Sequence, residues 1–305
     1  MGVKLNQEIN VDNYNLLIHQ LIEDGNIIKA AAIYERIYQR NKDNVDLLYD
    51  IAMFHDEYIN QEKALEFYDE IIAIEETEAG AYYGKAIIYE ELEDFDSAVK
   101  YYKLAIEYDP GYYQAHLYLA DIYDERKQDE LVEAHLKAAI KYEPDPLLAY
   151  NHYGSYCESR DRNEEAMIWT NKALEIDPTH YLSLFNKAVL YKKMGKLEEA
   201  IDLYDQSILS RETYAYSYLN QAIIYKSQDK FEKAADVLTS AILHNPEVSV
   251  LYYNRAIMLM RLGKMKRATE DVIKAIHLSP SLKNYAMIDL ELRGIDQAQI
   301  RGLDV

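Results

Sequence analysis

The side chains that could do chemistry are scattered along this chain. Eight histidines (His19, His55, His116, His135, His152, His180, His244 and His277) show no HExxH spacing, and the single cysteine, Cys157, has no second thiol with which to build a metal site. No phosphate-binding loop, GxSxG elbow or dinucleotide fingerprint occurs. Bond-breaking chemistry is not expected, and no cofactor or metal is implied. What remains is the chemistry of recognition. The chain carries 53 Asp and Glu, 30 tyrosines, and three asparagines, Asn186, Asn220 and Asn254, spaced 34 residues apart. An amide offers donors and an acceptor together, so three in phase suit the backbone of an extended peptide whatever its side chains.

The same interval governs the elements that must position these groups. Pro110, Pro144 and Pro178 are 34 residues apart, Pro246 follows two intervals later and Pro280 one more. A fixed period of this length marks a stacked-repeat solenoid. Counting back from the prolines gives repeats at 11–44, 45–78, 79–112, 113–146, 147–180, 181–214, 215–248 and 249–282. Small residues recur at the eighth position (Ala52, Ala86, Ala120, Gly154) and at the twentieth (Ala30, Ala64, Ala98, Ala166). Tyrosines recur at the eleventh (Tyr89, Tyr123) and the twenty-fourth (Tyr34, Tyr68, Tyr102, Tyr204). Within 79–112, Tyr82, Ala86, Tyr89 and then Ala98, Tyr102, Ala105 are spaced by three and four, the stripe of a buried helix face. Each repeat is therefore read as two amphipathic helices, with Gly25, Gly195 and Gly263 in the turns between them.

This pattern resembles the tetratricopeptide repeat family, whose unit is a pair of antiparallel helices with small residues at positions eight and twenty and proline at thirty-two. The departures are local: Lys42, Glu76 and Glu212 replace the proline, Val132 an alanine, and His55 and Cys157 an aromatic. The resemblance implies an all-α right-handed superhelix of helix–turn–helix repeats. Residues 1–10 are expected to be a short lead segment. Residues 283 to about 300 are expected to form one capping helix, with Tyr285, Ile288, Leu292 and Ile295 as its apolar stripe and Asp289, Glu291, Arg293 and Asp296 opposite, followed by a tail to 305. No linker divides the repeats, so one continuous domain is expected.

Charge is distributed unevenly. Of a net charge of −20, nearly all falls in residues 1–150, which hold 13 Lys and Arg against 32 Asp and Glu. Such a chain repels phosphate backbones, which excludes nucleic acid as the expected partner. In the family the resemblance points to, positions two, five, six, nine, twelve and thirteen of each repeat line a concave groove. Projected onto them, the early repeats place Asp46, Asp50, Asp56, Glu90, Asp121, Asp124 and Glu125 in the groove beside Tyr49, Tyr83 and Tyr118. The late repeats place Lys192, Lys193, Lys226 and Arg261 beside Asn186, Asn220 and Asn254, with Phe185, Tyr216 and Tyr253 as further aromatics. His19 and His152 project there too. An early acidic groove and a late basic, amide-rich one imply an extended segment lying with its basic part early and its acidic or neutral part late. The carboxylate clamp of some family members is absent, because Phe185, Val189, Asn151 and Ser155 stand where its first residues would be.

The lone cysteine, at a core position, fits a reducing, cytoplasmic setting. No apolar run reaches the length of a membrane span, and the first residues lack a signal-peptide core. The expected function is a non-catalytic protein- or peptide-binding scaffold. The alternatives are a homo-oligomeric assembly component and a regulator that changes pitch when a peptide binds.

Overall fold

A computed structural model describes residues 11–295 and 297–303 and is helical throughout, with no strand among the described residues. It falls into two compact stacks, one ending at Glu143 and the other beginning at Pro144. The N-terminal stack contains α1 (Val11–Glu23), α2 (Ile27–Tyr38), α3 (Val45–Tyr58), α4 (Gln61–Ile74), α5 (Ala79–Glu91), α6 (Phe95–Tyr108), α7 (Tyr113–Glu125) and α8 (Asp129–Tyr142). The C-terminal stack contains α9 (Leu147–Ser159), α10 (Asn163–Ile176), α11 (Tyr181–Lys193), α12 (Leu197–Ser210), α13 (Ala215–Ser227), α14 (Phe231–His244), α15 (Ser249–Arg261), α16 (Met265–Leu278), α17 (Leu282–Ile288) and α18 (Gln297–Arg301). The expected lead segment, 1–10, lies outside the described residues.

Local sequence accounts for where these helices start and stop. Asn44, Asn60 and Asp94 cap α3, α4 and α6 by accepting the backbone N–H of Leu47, Lys63 and Ser97 at 3.0, 3.1 and 3.2 Å. Between paired helices, α3 and α4 excepted, the chain turns through a left-handed residue. Gly25, Gly195 and Gly263 fill that place at no steric cost, while Glu93, Lys127, Asp161 and Asp229 adopt it with φ of 56–59°. The amide one residue later closes each turn, as Asp94 N–H does by donating to Tyr89 O at 2.8 Å.

The cores lie where the small residues allow helices to meet. Ala52, Ala86 and Ala188 and, at position twenty, Ala64, Ala98 and Ala200 have no exposed surface. Beside them Tyr102 and Tyr204 are fully buried, and Tyr102 stacks on Tyr118 at 5.4 Å. Cys157 is buried. Gly154 is the smallest residue of the series, and a β-carbon there would press on Thr170 Oγ1 at 2.9 Å.

The end of the chain differs from the single helix expected for 283–300. Helix α17 stops at Ile288, a 3-10 turn spans Leu290–Leu292, and α18 begins at Gln297. Asp289 breaks the run: its backbone is extended, and its carboxylate accepts the N–H of Glu291 at 2.9 Å. Gly294, at φ 104°, turns the chain again. The stripe is split accordingly. Leu292 and Ile295 are buried with Ile300 in the core of the C-terminal stack, whereas Tyr285 and Ile288 are exposed. Asp296 lies outside the described residues.

Because Ala98 sits without exposed surface where two helices touch, Ala98→Leu is expected to cost about 1–3 kcal/mol through overpacking. Thermal and denaturant unfolding followed by circular dichroism measure it, and a neutral effect would place the helix contact elsewhere.

Candidate functional site

On the N-terminal stack, α3 and α5 border an open cavity of about 760 Å³. Helix α3 contributes Tyr49, Met53 and Asp56, all from one face, because residues three and four apart lie above one another. Helix α5 contributes Gly80, Tyr83, Gly84 and Ile87 by the same spacing. Tyr68 reaches the cavity from α4, Glu78 from the start of α5, and Asp109 and Tyr112 from the turn after α6. The two glycines let the rings of its wall sit close to α5: a β-carbon on Gly84 would collide with the Tyr68 ring, and one on Gly80 would lie 2.5 Å from the Tyr49 hydroxyl. The rings pack on one another, Tyr49 with Tyr68 at 6.0 Å and Tyr83 with Tyr112 at 4.9 Å.

The carboxylates at this surface are held in unfavourable surroundings. The Tyr49 hydroxyl donates to Glu78 at 2.9 Å, and burial together with that carboxylate pushes the phenol well above its ordinary range. Burial is also the main cause that raises Asp56, with Glu91 and Glu57 adding to it against a hydrogen bond from Gln61. Asp56 Oδ1 is buried without a hydrogen-bond partner among the described residues. One helix further on, the Tyr102 hydroxyl donates to Glu90 at 2.7 Å. Glu90 is raised first by burial and then by Asp121, Glu125 and Glu91, so the negative fields of α5 and α7 converge on it. Asp50 is raised chiefly by burial, opposed by Asn15 and aggravated by Asp46.

In the C-terminal stack, by contrast, the cations are engaged by the chain itself. Lys193 pairs with Glu158 at 2.7 Å and Asp161 at 2.9 Å. Lys226 pairs with Glu291 at 2.6 Å, and Tyr253 donates to Asp289 at 2.7 Å, so the segment after α17 lies against α13 and α15. Lys192 donates to Asn220 Oδ1 at 2.5 Å, and burial lowers its pKa. Arg261 lies over the Phe231 ring at 4.7 Å, with Asp229 at 4.0 Å. The asparagines do not form a ladder of like groups. Asn186 is buried and donates to Asn151 and Ser155, while Asn220 and Asn254 turn their amides back to Tyr216 O and Val250 O of their own helices.

Family models described as tetratricopeptide repeat match residues 79–112, 133–181 with 219–282, and 169–202. The chain belongs to the tetratricopeptide repeat family. Members of this family act generally as protein-interaction scaffolds. No curated protein matches the sequence. Among solved structures, yeast Tom70 is similar at 14% identity with a TM-score of 0.68 over 91% of this chain and 58% of its own. The Cut9 and Hcn1 hetero-tetramer of the APC/C is similar at 15% with a TM-score of 0.62 over 91% and 55%. PilW, a type IV pilus biogenesis factor, is similar at 22% with a TM-score of 0.55 over 70% and 96%. The chain thus spans little more than half of the first two, and at these identities the likeness is one of fold.

For this tetratricopeptide repeat chain, Tyr49, Met53, Asp56, Tyr83 and Ile87 occupy the repeat positions that the family assigns to the groove, and the structure brings them to one cavity. Asp46 and Asp121 are exposed, and Tyr118 packs on Tyr83 and Tyr102. Gly80, Gly84 and Tyr112 were not singled out from sequence. Their signal was two glycines one turn apart inside a helix, where glycine is otherwise disfavoured. No group of side chains among the described residues could hold a metal ion, and no helix there is long and apolar enough to cross a membrane.

A second feature escaped the sequence: His116 Nδ1 and His135 Nδ1 lie 2.8 Å apart, so one donates and the other accepts, and the accepting ring is unprotonated at that nitrogen. Burial lowers both, and His135, beside His116 and Lys103, falls to about 4. A base whose folded pKa lies below its unfolded value loses stability as pH falls, because the unfolded chain takes up the proton first. Acidification from about pH 6.5 to 4 is therefore expected to cost about 1–2 kcal/mol at this pair, after allowance for solvent screening. Unfolding midpoints of wild type and His135→Phe across that range test it, and parallel curves would refute it.

Proposed function

We propose that the protein is a non-catalytic scaffold whose N-terminal stack receives an extended protein segment bearing basic side chains. The observation that carries this reading is the convergence of carboxylates on the first-helix face: Glu90 is half-buried, hydrogen-bonded to Tyr102, and raised by Asp121 and Glu125 beside it. Bringing an opposite charge to such a group relieves its repulsion and favours its ionised form. Tyr83 and Tyr118 beside it supply rigid apolar area of the kind that anchors interfaces. The negative charge is also placed to steer a basic partner, since like charges on a shared surface add up within a Debye length of roughly 8 Å.

The structure changes how the C-terminal half enters this picture. An acidic stretch of the partner would have to displace Glu291 from Lys226 and the pairs at Lys193, and Asn186 has no amide free for a peptide backbone. Recognition is therefore assigned to the N-terminal stack. Titratable carboxylates held above their usual range also give binding a sign with pH: affinity for a basic segment rises as pH rises through that range.

Reversing Asp121, Asp124 and Glu125 to lysine is expected to weaken binding of a lysine- and arginine-rich peptide by about 10- to 100-fold at low salt and to flatten its salt dependence, with helix content retained. Fluorescence anisotropy at two ionic strengths measures both. Affinity unchanged at both would sink the reading, and a mass that rises with concentration in place of peptide binding would favour self-association.

A further inference from the structure

The cavity bordered by α3 and α5 has more definition than a general acidic face requires. Its volume of about 760 Å³ lies within the roughly 300–1,000 Å³ typical of ligand sites. Four tyrosines and three carboxylates line it, and no lysine or arginine is among the described residues that do so. The placing of two of its rings depends on Gly80 and Gly84, which stand one turn apart in α5 where a side chain would displace Tyr49 or Tyr68. Glycine is disfavoured within a helix, so at Gly84 this close ring approach is kept against local preference.

We propose that this cavity is the anchor site for an arginine side chain of the partner segment. The inference rests on the reading of the N-terminal stack as a receptor for a basic segment, and it adds where that segment is fixed and by which group. A cation is selected because Asp56, Glu78 and Asp109 face the same volume and would repel an anion. Arginine is selected over lysine by the composition of the walls. A guanidinium is planar and weakly hydrated, stacks on tyrosine rings, and has five N–H donors with which to reach carboxylates lying in different directions. Asp56 Oδ1 is a buried acceptor with no partner among the described residues, and a fork of donors can satisfy it while the plane of the group rests among Tyr49, Tyr83 and Tyr112. An ammonium would surrender more hydration and could meet fewer of these groups at once. Exposed Met53 at the rim offers a flexible apolar surface for the methylenes of the arginine stem.

The test is isothermal titration of the full chain with a capped glycine–serine nonapeptide carrying several arginines, and with counterparts in which the central arginine is lysine or the uncharged isostere citrulline. The arginine peptide is expected to bind, citrulline to lower affinity about tenfold, and lysine to fall between. Asp56→Asn, which keeps the shape of the cavity, is expected to erase most of the difference between arginine and citrulline, a coupling that loss of overall charge would not produce. Gly84→Val should do the same by filling the site, with circular dichroism checking that the helices persist. If citrulline binds as tightly as arginine, or if the difference survives Asp56→Asn, the anchor is wrong while the acidic receptor stands. If none of the peptides binds, both fall.

Discussion

Close approach of paired helices at small residues is the constraint on which the rest of the structure depends. Ala64, Ala86, Ala98 and their counterparts have no exposed surface, and any bulk there would push two backbones apart. Once that contact is set, the volume beside it must be filled, which is why fully buried Tyr102 and Tyr204 follow four residues after an alanine. A single helix pair cannot bury its apolar face, so stability accumulates between neighbours. The first-helix face is left with few duties in folding and is therefore able to differ from repeat to repeat.

That freedom is used differently in the two stacks. Several buried or half-buried phenols donate to a carboxylate: Tyr38 to Glu70, Tyr49 to Glu78, Tyr102 to Glu90 and Tyr253 to Asp289. Each such bond ties a core ring to an acid that stands at or near the surface. It holds negative charge in half-buried positions that a free surface carboxylate would leave for water. In the N-terminal stack burial is the main cause that raises Asp50, Asp56 and Glu90, and at Glu90 the hydrogen bond from Tyr102 opposes it.

How much of this was legible in the sequence follows from the range of the interactions concerned. The helix register was legible because prolines, alanines and turn residues act within one repeat and are copied from one to the next. Even the left-handed turn was marked by Gly25, Gly195 and Gly263, although Glu93, Lys127, Asp161 and Asp229 hold the same conformation without the mark. Asn186 misled, because its position says groove while its neighbours Asn151 and Ser155, 35 and 31 residues away, draw its amide into the interior. The His116 and His135 pair joins two helices whose histidines have no motif spacing. The end of the chain misled for a different reason: the stripe of Tyr285, Ile288, Leu292 and Ile295 fits one helix, but Asp289 leaves it to accept the N–H of Glu291 and the hydroxyl of distant Tyr253.

The same reasoning explains why net charge, by itself, says little about the C-terminal half and much about the N-terminal half. In residues 151–305 basic and acidic groups are nearly equal in number, and several of the basic ones lie against acids: Arg255 with Asp271 at 2.7 Å, Lys226 with Glu291, Lys193 with Glu158 and Asp161. A pair at such a distance presents little field beyond a few ångströms, so these cations add little to the charge of the surface. In residues 1–150 acids outnumber bases by more than two to one, and no rearrangement of side chains could neutralise them. The excess must either be dispersed in solvent, where salt screens it, or be gathered where rings and helices exclude water. Burial is the leading cause at Asp50, Asp56 and Glu90, so part of the excess is gathered where water is scarce, and there an opposite charge would favour the ionised carboxylates.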